Sequence, residues 1–486
     1  MRHLIALICG VILSFSIHAQ TEASAFSLTG HGISTAFSRD YQCLGINPAN
    51  LDLAPQYEGK HFAFGFFETG VSFYSEGLTK QELRQNFTGQ RIKELSQADQ
   101  IQYAREFANS ANSGDIDIMT AGFYAQTNKL GSFAFSSRER VDFYSNLGPQ
   151  ASELLWLGYA APYFEELILE NGDTIPNTAN LDAETLAQVV QGITSLENAS
   201  SVSDLIRGTE FRFAWVREFN LGYGKKLLSG ETWQLHGGVG VKFLIGQGII
   251  DVDATGQEAK VFSALSPVFQ IDYDDIDGQS PSQLPNNAGP LTPVGFGIGV
   301  DLGATFVIQD RYYASASVTD IGSMTWDGNV YELNDFQLTN FENSGIESVA
   351  FIDQITELSG SDGLLDWKGT AKRVTKLPTT ARAGFGFRLP MIMAGIDIVA
   401  PMNSEVGSLD RASIAVGGEF TPVPWVHLSA GFSQGGNYDT KIPAGIRFTI
   451  GDGTYELGVA SRDMITFFTR NQPTASMTFG FLRFRV

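Results

Sequence analysis

The feature that most constrains this chain is a two-residue alternation of apolar with polar or small side chains, which dominates after about residue 60. Such alternation indicates β-strands whose two faces meet different surroundings. The clearest alternating segments are 232–243, 294–308, 381–389 and 442–450. They run for nine to fifteen residues, whereas strands of a soluble sandwich usually have ~5–6. Strands of this length suit a tilted crossing of an apolar membrane layer of ~25 Å.

Counting the alternating segments gives a second constraint. Fourteen strands are predicted, at 60–74, 114–126, 131–145, 209–226, 231–250, 293–308, 311–327, 375–389, 391–401, 409–420, 424–434, 441–450, 453–461 and 474–486. An even number is typical of single-chain bacterial barrels, and every second connection is short, which is the loop asymmetry of the outer membrane. We therefore predict an all-β fold, a transmembrane antiparallel β-barrel, with a soluble or surface-displayed β-protein as the alternative. Segment 259–272 is assigned to a loop as a protruding hairpin, because another spanning strand would break this parity.

The N-terminus predicts export. Arg2 provides a positive start, Leu4–Ile17 a short apolar core and Ala19 a small residue at the cleavage point, as in a secretory signal peptide. A membrane anchor is the less favoured alternative, because the apolar run is short for a spanning helix. The predicted organisation is a signal peptide at 1–19, an N-terminal plug segment at 20–59 and an outer-membrane barrel of a Gram-negative-type bacterium at 60–486. Cleavage would leave Cys43 as the single cysteine, so no internal disulfide is expected.

The long connections are predicted to carry helices. Segment 79–111 contains Ser96, a good N-cap, followed by apolar residues at helical spacing. Segments 181–194 and 346–358 show similar apolar stripes. These faces predict either a self-packed cap or a landing surface for a hydrophobic ligand. Segment 251–292 is acidic and predicts a solvated loop; it superficially resembles a calcium loop but lacks the acids expected at the fifth and twelfth positions.

The composition argues against several classes of function. The chain has 32 Lys and Arg against 53 Asp and Glu, a net charge of −21, which disfavours a general grip on nucleic-acid phosphates. Among its six histidines no two have metal-ligand spacing, and the sequence motifs of nucleophile elbows and phosphate loops are absent. We therefore expect no enzyme, no cofactor and no metal site. A hydrolase assembled around His427 and Ser429 is the least favoured alternative.

The inward faces of the predicted strands carry a mixed set of charges. The candidate ligand-contacting side chains of the lumen are Arg382, Arg388, Arg447 and His236. Mutual ion pairing that stiffens the wall is the alternative role for most of the charges. Inward glycines on 294–308 predict a thin wall that another segment approaches closely, and 20–59 is the natural candidate for that segment.

Residues 29–51, TGHGISTAFSRDYQCLGINPANL, resemble the start of FadL-type barrels, the long-chain fatty acid transporters. The plug of that family carries an Asn-Pro-Ala motif, which is matched here by Asn47, Pro48 and Ala49. Segment 377–384, LPTTARAG, is similar to the LPxxxRxG strand opening of the same superfamily. The resemblance implies a fourteen-strand barrel with a plug, whose relatives move hydrophobic molecules or, like PorV, serve type IX secretion as partner proteins. The C-terminal Phe484-Arg485-Val486 departs from the terminal aromatic residue of such barrels.

These features together predict an outer-membrane barrel that mediates passive transport or capture of hydrophobic or amphipathic small molecules through a plugged lumen. Movement of 20–59 would open the route, and Arg382 or Arg388 would meet an anionic head group, because a buried charge needs a counterpart. The expected partners are outer-membrane lipid and a hydrophobic ligand. The alternative is a non-transporting interaction protein whose long loops dock a secreted or surface protein.

Overall fold

The computed structural model describes residues 25–486 except 56, 80–95, 128, 179–180, 272, 274–277, 286, 347–363, 410, 437, 465–467 and 469–473. The predicted signal peptide and residues 20–24 lie outside the described residues. So do most of the predicted helix over 346–358 and the most acidic part of the 251–292 loop.

Fourteen antiparallel strands form one closed ring. In chain order they are β1 (Phe62–Ser75), β2 (Ala111–Thr127), β3 (Gly131–Asn146), β4 (Glu210–Ser229), β5 (Trp233–Asp253), β6 (Gly295–Ile308), β7 (Tyr312–Trp326), β8 (Thr380–Arg388), β9 (Ile392–Pro401), β10 (Ser413–Val423), β11 (Val426–Gly435), β12 (Ala444–Ile450), β13 (Tyr455–Ser461) and β14 (Thr474–Arg485). Each strand pairs with the next, and β14 pairs with β1. A closed ring has no sheet edge and therefore satisfies its backbone groups in lipid. The predicted fold class and the predicted number of strands are confirmed.

The outer surface of the ring is apolar because the apolar phase of each alternation points outward. On β6, Phe296 and Ile298 are 54% and 58% exposed, whereas Asp301 is 1% exposed. The same division holds on β8, where Phe385 is exposed and Arg382 is buried. An exposed apolar band around a closed ring is typical of a barrel that spans a lipid bilayer.

Aromatic side chains mark one rim of this band. Trp233, Tyr312 and Trp425 are exposed and lie at or beside the ends of their strands. The rings of Trp233 and Phe306 have centroids 5.6 Å apart, and those of Trp425 and Phe448 are 6.2 Å apart. Aromatic girdles of this kind are typical of the membrane–water interface.

The connections alternate between short and long. The short ones, at 128–130, 230–232, 309–311, 389–391, 424–425 and 451–454, share one end of the ring, which we name the short-turn end. The long ones, at 76–110, 147–209, 254–294, 327–379, 402–412, 436–443 and 462–473, lie at the opposite loop end. Lys260–Leu265 pairs with the last residues of β5 as a protruding hairpin, as predicted. In outer-membrane barrels short turns face the periplasm and long loops face the exterior.

One predicted strand is interrupted. The alternation predicts a single strand over 375–389, but the structure divides it into Arg373–Lys376 and β8. Between the two, Pro378 has no N–H to donate, and Leu377 donates its N–H to the carbonyl oxygen of Gly322 over 3.0 Å. The facing strand β7 is also irregular, because Asp320 adopts a φ of 59° at a bulge.

The long connections fold into a layer over the loop end. Its helices are Gln97–Phe107, Pro149–Leu157, Ala183–Leu186 and Val202–Leu205, with 3-10 turns at Gly158–Ala160 and Pro267–Phe269. Its short strands are Glu166–Leu169, Thr174–Pro176, Val189–Ile193, Lys260–Leu265, Val330–Leu333, Asn340–Phe341, Trp367–Gly369, Arg373–Lys376 and Tyr438–Lys441. Within the described part of the chain, no helix is long and apolar enough to cross a membrane.

The predicted helix after Ser96 is confirmed. Ser96 and Asp99 form a capping box that satisfies the first backbone N–H groups. Tyr103 and Phe107 pack on Trp156 of the next helix, with ring centroids 5.2 and 5.0 Å apart. The apolar face of this helix is therefore covered by the loop layer itself, which favours the self-packed cap over a landing surface on this helix.

The second half of the predicted helix over 181–194 is wrong. The helix ends at Leu186, and Val189–Ile193 forms a strand that pairs with Glu166–Leu169. β-branched side chains fit a pleated strand better than a helix. Strand pairing therefore outweighs the helical spacing of the apolar residues in this segment.

Near Phe67, the set of alternate residues of β1 that faces the lumen changes. Phe67 adopts a positive φ of 53° and is exposed, whereas Glu68, the next residue, is buried. A register shift lies between Met119 and Ala121 of the neighbouring strand β2. The apolar residues of β1 accordingly change phase, from Phe62, Phe64 and Phe66 to Phe67, Val71 and Phe73. This change is a local bulge-like distortion, and its consequence is an inward Glu68.

Residues 25–55, which we name the plug, lie inside the ring. They contain three short helical turns, Phe26–Thr29, Asp40–Cys43 and Pro48–Asp52. Most plug residues are buried, including Asn47, Ala49 and Leu51. The last residues of the plug lie toward the short-turn end of the ring. β1 begins at that end only a few residues later, so the chain between them is short. The predicted boundaries at 20 and 59 stay predictions.

Candidate functional site in the plugged lumen

The Asn-Pro-Ala motif fastens one end of the plug to the wall. The side-chain oxygen of Asn47 accepts a hydrogen bond from the Ala49 N–H over 3.2 Å and caps the turn that starts at Pro48. Its amide nitrogen donates to the Thr35 carbonyl oxygen over 3.2 Å and to Thr305 Oγ1 of β6 over 3.0 Å. The motif therefore joins two plug segments to each other and to the wall.

Asn50 completes this anchor. Its amide nitrogen donates to the Thr35 carbonyl oxygen over 2.9 Å and to Ser38 Oγ over 3.0 Å, while its oxygen accepts from Thr305 Oγ1 over 2.6 Å. A buried amide whose partners are all supplied specifies one arrangement of the chain around it. Asn50 lies outside the Asn-Pro-Ala motif, and its position three residues after Asn47, in the same turn, is the sequence signal that points to it.

Glycines of the wall make room for the backbone and side chains of the plug. A Cβ at Gly303 would overlap the Asn47 side chain, and one at Gly238 would overlap the peptide between Pro48 and Ala49. Plug atoms also lie close to Gly65, Gly122, Gly222, Gly224, Gly384, Gly386, Gly395, Gly417, Gly431, Gly445, Gly458 and Gly480. We name these wall positions, with Gly238 and Gly303, the glycine belt. It explains how a chain segment fits inside the ring, because only glycine allows so close a backbone approach.

The predicted thin wall on β6 meets the plug at one position. Gly303 belongs to the glycine belt, whereas Gly295, Gly297 and Gly299 accommodate side chains of neighbouring wall and loop segments. The alternating glycines of this strand therefore make room either for the plug or for side chains of neighbouring wall and loop segments. The sequence pattern alone does not show which glycine does which.

A charged cluster anchors the middle of the plug. Asp40 of the plug lies 2.7 Å from Arg483 and 3.4 Å from Arg485, both on β14. Glu456 accepts from the same two arginines, over 2.6 and 2.8 Å, and from Arg447 over 2.8 Å. These contacts favour the ion-pairing role for Arg447, since a buried charge is stabilised by paired partners.

His236 lies at the end of the plug near the short turns. Its Nδ1 is 3.4 Å from Asp52 Oδ2, and its Nε2 is 3.3 Å from Gln234 Oε1. Asp52 also accepts from the Lys226 N–H over 2.6 Å and from Ser132 Oγ over 3.0 Å. The contacts of His236 are therefore those of a residue that positions the plug.

Wall carboxylates hold the plug at two further points. Asp397 Oδ2 accepts from the N–H and hydroxyl of Ser34, over 2.7 and 3.0 Å, and from the Thr35 N–H over 3.0 Å. Glu68, directed inward by the distortion of β1, accepts from the Tyr41 hydroxyl over 2.5 Å. Alternation predicts that Asp397 points inward, but it does not identify the plug as the partner.

Arg382 and Arg388 lie on opposite sides of the plug. Both point inward from β8, and Gly384 and Gly386 of the glycine belt lie between them. A strand rise of about 3.3 Å per residue separates the two arginines by roughly 20 Å along the strand. Arg382 lines a small cavity of about 50 Å³ toward the loop end, together with Asp397.

A larger cavity, of about 720 Å³, lies at the short-turn end, and Arg388 lines it. Glu419 lines the same cavity. The Glu419 carboxylate is engaged by Arg447, over 2.6 Å, and lies 3.1 Å from His427 Nδ1. Of the predicted lumen residues, Arg388 is therefore the one that faces a cavity of ligand size.

Burial changes the acid–base properties of two plug residues. Burial raises the pKa of the Cys43 thiol well above its usual range, so little reactive thiolate is present. Burial also lowers the pKa of His31 to about 4. His31 is therefore neutral at neutral pH.

Sequence comparison identifies the family. Residues 177–453, more than half of the chain, match a family described as a family of unknown function, DUF5723. The chain belongs to DUF5723. The matched part of this DUF5723 member runs from the loop layer before β4 to the turn after β12. No curated protein matches the chain.

Solved structures of a hydrocarbon channel, a toluene transporter and a FadL homologue are similar to this chain in layout. The DUF5723 barrel is 11% identical to the TodX deltaS2S3 mutant monoaromatic hydrocarbon channel, with a TM-score of 0.48 over 96% of this chain and 99% of that chain. The Pseudomonas putida toluene transporter TodX is 11% identical, with a TM-score of 0.41 over 96% and 98%. A Pseudomonas aeruginosa FadL homologue is 11% identical, with a TM-score of 0.39 over 96% and 98%. The layout implied by the FadL resemblance, fourteen strands around an N-terminal plug, is confirmed by the ring and the plug themselves.

Proposed function

We propose that this protein is an outer-membrane barrel for passive transport or capture of hydrophobic or amphipathic small molecules, and that movement of the plug opens its lumen. The observation that supports the proposal is the position of the plug between two cavities, with Arg382 on one side and Arg388 on the other. A segment in this position controls passage between the two ends of the ring.

The plug can move without damage to the wall. The backbone pairs that close the ring join strands to strands, and the plug is held by hydrogen bonds and ion pairs of its side chains and backbone. A displaced plug therefore leaves every ring strand with both of its neighbours.

The larger cavity favours a cargo with an apolar body. Its rim at the short-turn end includes apolar side chains of two turns, among them Leu389, Met391, Ile392 and Val423. Ligand pockets of about 300–1,000 Å³ are typically lined by apolar residues with a few placed polar groups. A fully polar solute would make no favourable apolar contacts with these side chains.

A reversible covalent lock tests the proposal. Ser34 Oγ of the plug lies 3.0 Å from Asp397 Oδ2 of β9, so Ser34→Cys with Asp397→Cys, in a Cys43→Ser background, places two thiols on side chains that already touch, without adding a Cβ to a glycine. The probe is the uncharged dye N-phenyl-1-naphthylamine, added to Gram-negative cells that express each variant. We expect oxidation to reduce dye influx to the level of cells without the barrel, and reduction to restore it.

The single-cysteine variants are the matched controls for this lock, and their influx should not respond to oxidant. Equal influx through the oxidised and reduced double variant would contradict a moving plug.

The alternative function, docking of a secreted or surface protein, is favoured by a different observation. The loop layer contains a second sheet made of Asn340–Phe341, Val189–Ile193, Glu166–Leu169 and Thr174–Pro176, in that order, so Thr174–Pro176 is an edge strand. An edge strand presents unpaired backbone groups to a partner. Native mass spectrometry of the barrel in mild detergent separates the two functions. A one-to-one protein partner that is lost in Ile175→Pro supports docking, whereas a bound amphiphile that is lost when 25–46 are deleted supports transport.

A further inference from the structure

The buried charges of the lumen wall are separated by sign. Among the described residues of β1–β7, eight carboxylates and three cationic side chains are buried. On β8–β14 the balance is reversed, with three buried carboxylates and four buried arginines. Each set of seven strands is contiguous in the ring, so the two sets face each other across the lumen. The wall therefore has an acidic half and a basic half.

The acidic half contains a group in which carboxylates outnumber cations. We name it the acidic cluster, and it consists of Glu218, Asp301, Asp320, Lys242 and Arg140. Lys242 Nζ lies 2.7 Å from Asp320, 3.2 Å from Asp301 and 3.8 Å from Glu218. Arg140 lies 2.9 Å from Glu218 and 3.7 Å from Asp320. In the part of the chain that the structure describes, no other cation forms an ion pair with these three carboxylates, so the three share two cations.

The basic half contains the converse group. We name it the basic cluster, and it consists of Arg447, Arg483, Arg485, Glu419 and Glu456. All three arginines bind Glu456, over 2.6 to 2.8 Å, and Arg447 also binds Glu419 over 2.6 Å. Three cations therefore share two carboxylates of the wall. Because a buried charge without a partner is costly, each cluster favours a counter-charge from whatever occupies the lumen.

The plug supplies such a counter-charge to the basic cluster. Asp40 lies 2.7 Å from Arg483 and 3.4 Å from Arg485. Beside the acidic cluster the plug presents Gly45, where an added Cβ would lie 3.8 Å from Lys242 Nζ, and glycine carries no side-chain charge. Displacement of the plug would remove Asp40. The open lumen would then have an unmatched positive charge on one side and an unmatched negative charge on the other.

The two clusters lie on opposite sides of the ring and at different depths. β6, with Asp301, and β13, with Glu456, are seven strands apart in a ring of fourteen. Asp301 is seven residues from the short-turn end of its strand, whereas Glu456 is one residue from the short-turn end of its own. At a rise of about 3.3 Å per residue, the acidic cluster lies roughly 20 Å farther along the strand direction. A solute that crosses the open lumen therefore meets the clusters one after the other.

This arrangement opposes solutes of either net charge. An anion is attracted by the basic cluster and repelled by the acidic cluster, and a cation meets the reverse. A solute with both charges finds a counter-charge at each cluster by turning as it passes. We infer that the open lumen also passes small zwitterionic solutes, with one ammonium and one carboxylate group, in preference to anions and cations of the same size. The inference rests on the proposed function for movement of the plug and extends it to a second class of cargo.

Efflux from proteoliposomes that contain the full chain tests this preference. The vesicles are loaded with equal amounts of three solutes of similar size and shape, the zwitterion glycine betaine, the cation choline and the anion 3,3-dimethylbutyrate, and the released solutes are measured by mass spectrometry. Rates are corrected for leakage from protein-free vesicles. We expect the zwitterion to leave about fivefold faster than either ion, the factor that one charge contact at about 4 Å in water provides.

Two variants should change the rates in opposite ways. Asp301→Asn balances the acidic cluster, so efflux of the anion should rise toward that of the zwitterion while the cation stays slow. Arg485→Gln balances the basic cluster, so efflux of the cation should rise while the anion stays slow. Asn and Gln keep polar groups at both positions, and folding of each variant is checked by the shift in gel mobility between unheated and heated samples. Glu170→Gln, which removes an exposed carboxylate from the loop layer, is the matched control and should keep the wild-type rates.

The possible outcomes separate this inference from the proposed function. Equal efflux of all three solutes from wild type would overturn the inference, as would an equal rise of both ions in each variant, which would indicate a loosened plug without charge selection. Influx of N-phenyl-1-naphthylamine without efflux of any of the three solutes would also overturn it and would retain passage of hydrophobic molecules. Absence of both dye influx and solute efflux would refute passage altogether.

Discussion

At the scale of single residues, the glycine belt sets how closely the plug approaches the wall. At Gly303 the hydrogen atom of glycine leaves space for the Asn47 side chain, which then reaches Thr305 on the same strand. The anchor of the plug and the space for it therefore lie two residues apart on β6. A methyl group added at Gly303 would therefore occupy the space that the Asn47 side chain needs to reach Thr305.

Gly303→Ala is predicted to displace the plug while the ring persists. The added methyl group would overlap Asn47, and overpacking of this kind typically costs about 1–3 kcal/mol. Cys43, buried in the plug, is the reporter, because its thiol is unreactive where it lies and becomes accessible when the plug leaves. We expect maleimide labelling of Cys43 to rise several-fold above wild type in folded protein.

Gly240→Ala on β5 is the matched control. The three atoms nearest to a Cβ there belong to the side chains of Asp301 and Asn220, at 3.2 and 3.3 Å, and not to the plug. Its labelling should stay at the wild-type level. Equal labelling of both variants would show that contact with the plug is not what Gly303 provides.

Acid is predicted to favour release of the plug through His31. Burial lowers the pKa of His31 to about 4 from an ordinary 6.5, with Glu419 opposing the shift and Arg447 and Arg388 adding to it. In a released plug His31 faces water, so the released state binds the proton more readily. The inserted state is fully favoured above pH 6.5 and loses about 1.4 kcal/mol for each unit that the pH falls between 6.5 and about 4.

Channel conductance in planar bilayers measures this effect. Openings should become more frequent between pH 6.5 and 4, and His31→Gln should remove most of that dependence because glutamine does not titrate in this range. A pH response that is unchanged in His31→Gln would assign it to other groups.

At the scale of elements, the loop layer and the ring are stabilised by different means. The ring depends on strand pairing in lipid, whereas the loop layer has a buried aromatic core in which Trp156 contacts Tyr103 and Phe107. The two should therefore respond independently to a change in the aromatic core.

Trp156→Ala is predicted to loosen the loop layer and leave the ring intact. Removing a fully buried tryptophan typically costs about 3–5 kcal/mol. Limited proteolysis should cut the loops of the variant faster than those of wild type, while the heat-dependent gel mobility of the barrel is retained. Val190→Ala, at an exposed site in the same layer, should behave as wild type. Loss of the folded gel band in Trp156→Ala would show instead that the layer is needed for the ring.

The sequence predicts the ring well because lipid and lumen impose opposite demands on alternate residues. The same alternation predicts that Arg382 and Arg388 point inward. Sequence patterns predict the structure wrongly where another constraint acts. Pro378, which has no N–H to donate, interrupts a predicted strand. The β-branched residues at 189–193 pair as a strand although their apolar spacing is helical. Contacts such as Asp40 with Arg483, 443 residues apart in the chain, depend on closure of the ring and leave no local signal.

At the scale of the whole molecule, the ring and the plug are separable. Deleting 25–46 removes most of the plug and leaves Asn47 and the ring-closing pairs of β1 with β14 in place. Arg483 and Arg485 would lose Asp40 but keep Glu456. We predict a folded barrel with a larger single-channel conductance than wild type. An unfolded barrel would show that the plug is part of the core on which the wall depends.

The last strand carries two duties at once. β14 completes the ring by pairing with β1, and its Arg483 and Arg485 receive Asp40 of the plug. A segment that precedes β1 in the chain is therefore held by the strand that closes the ring. During assembly the contacts of Asp40 with β14 can form only when the last strand is in place. Closure of the ring and docking of this part of the plug are therefore expected at the same stage of assembly.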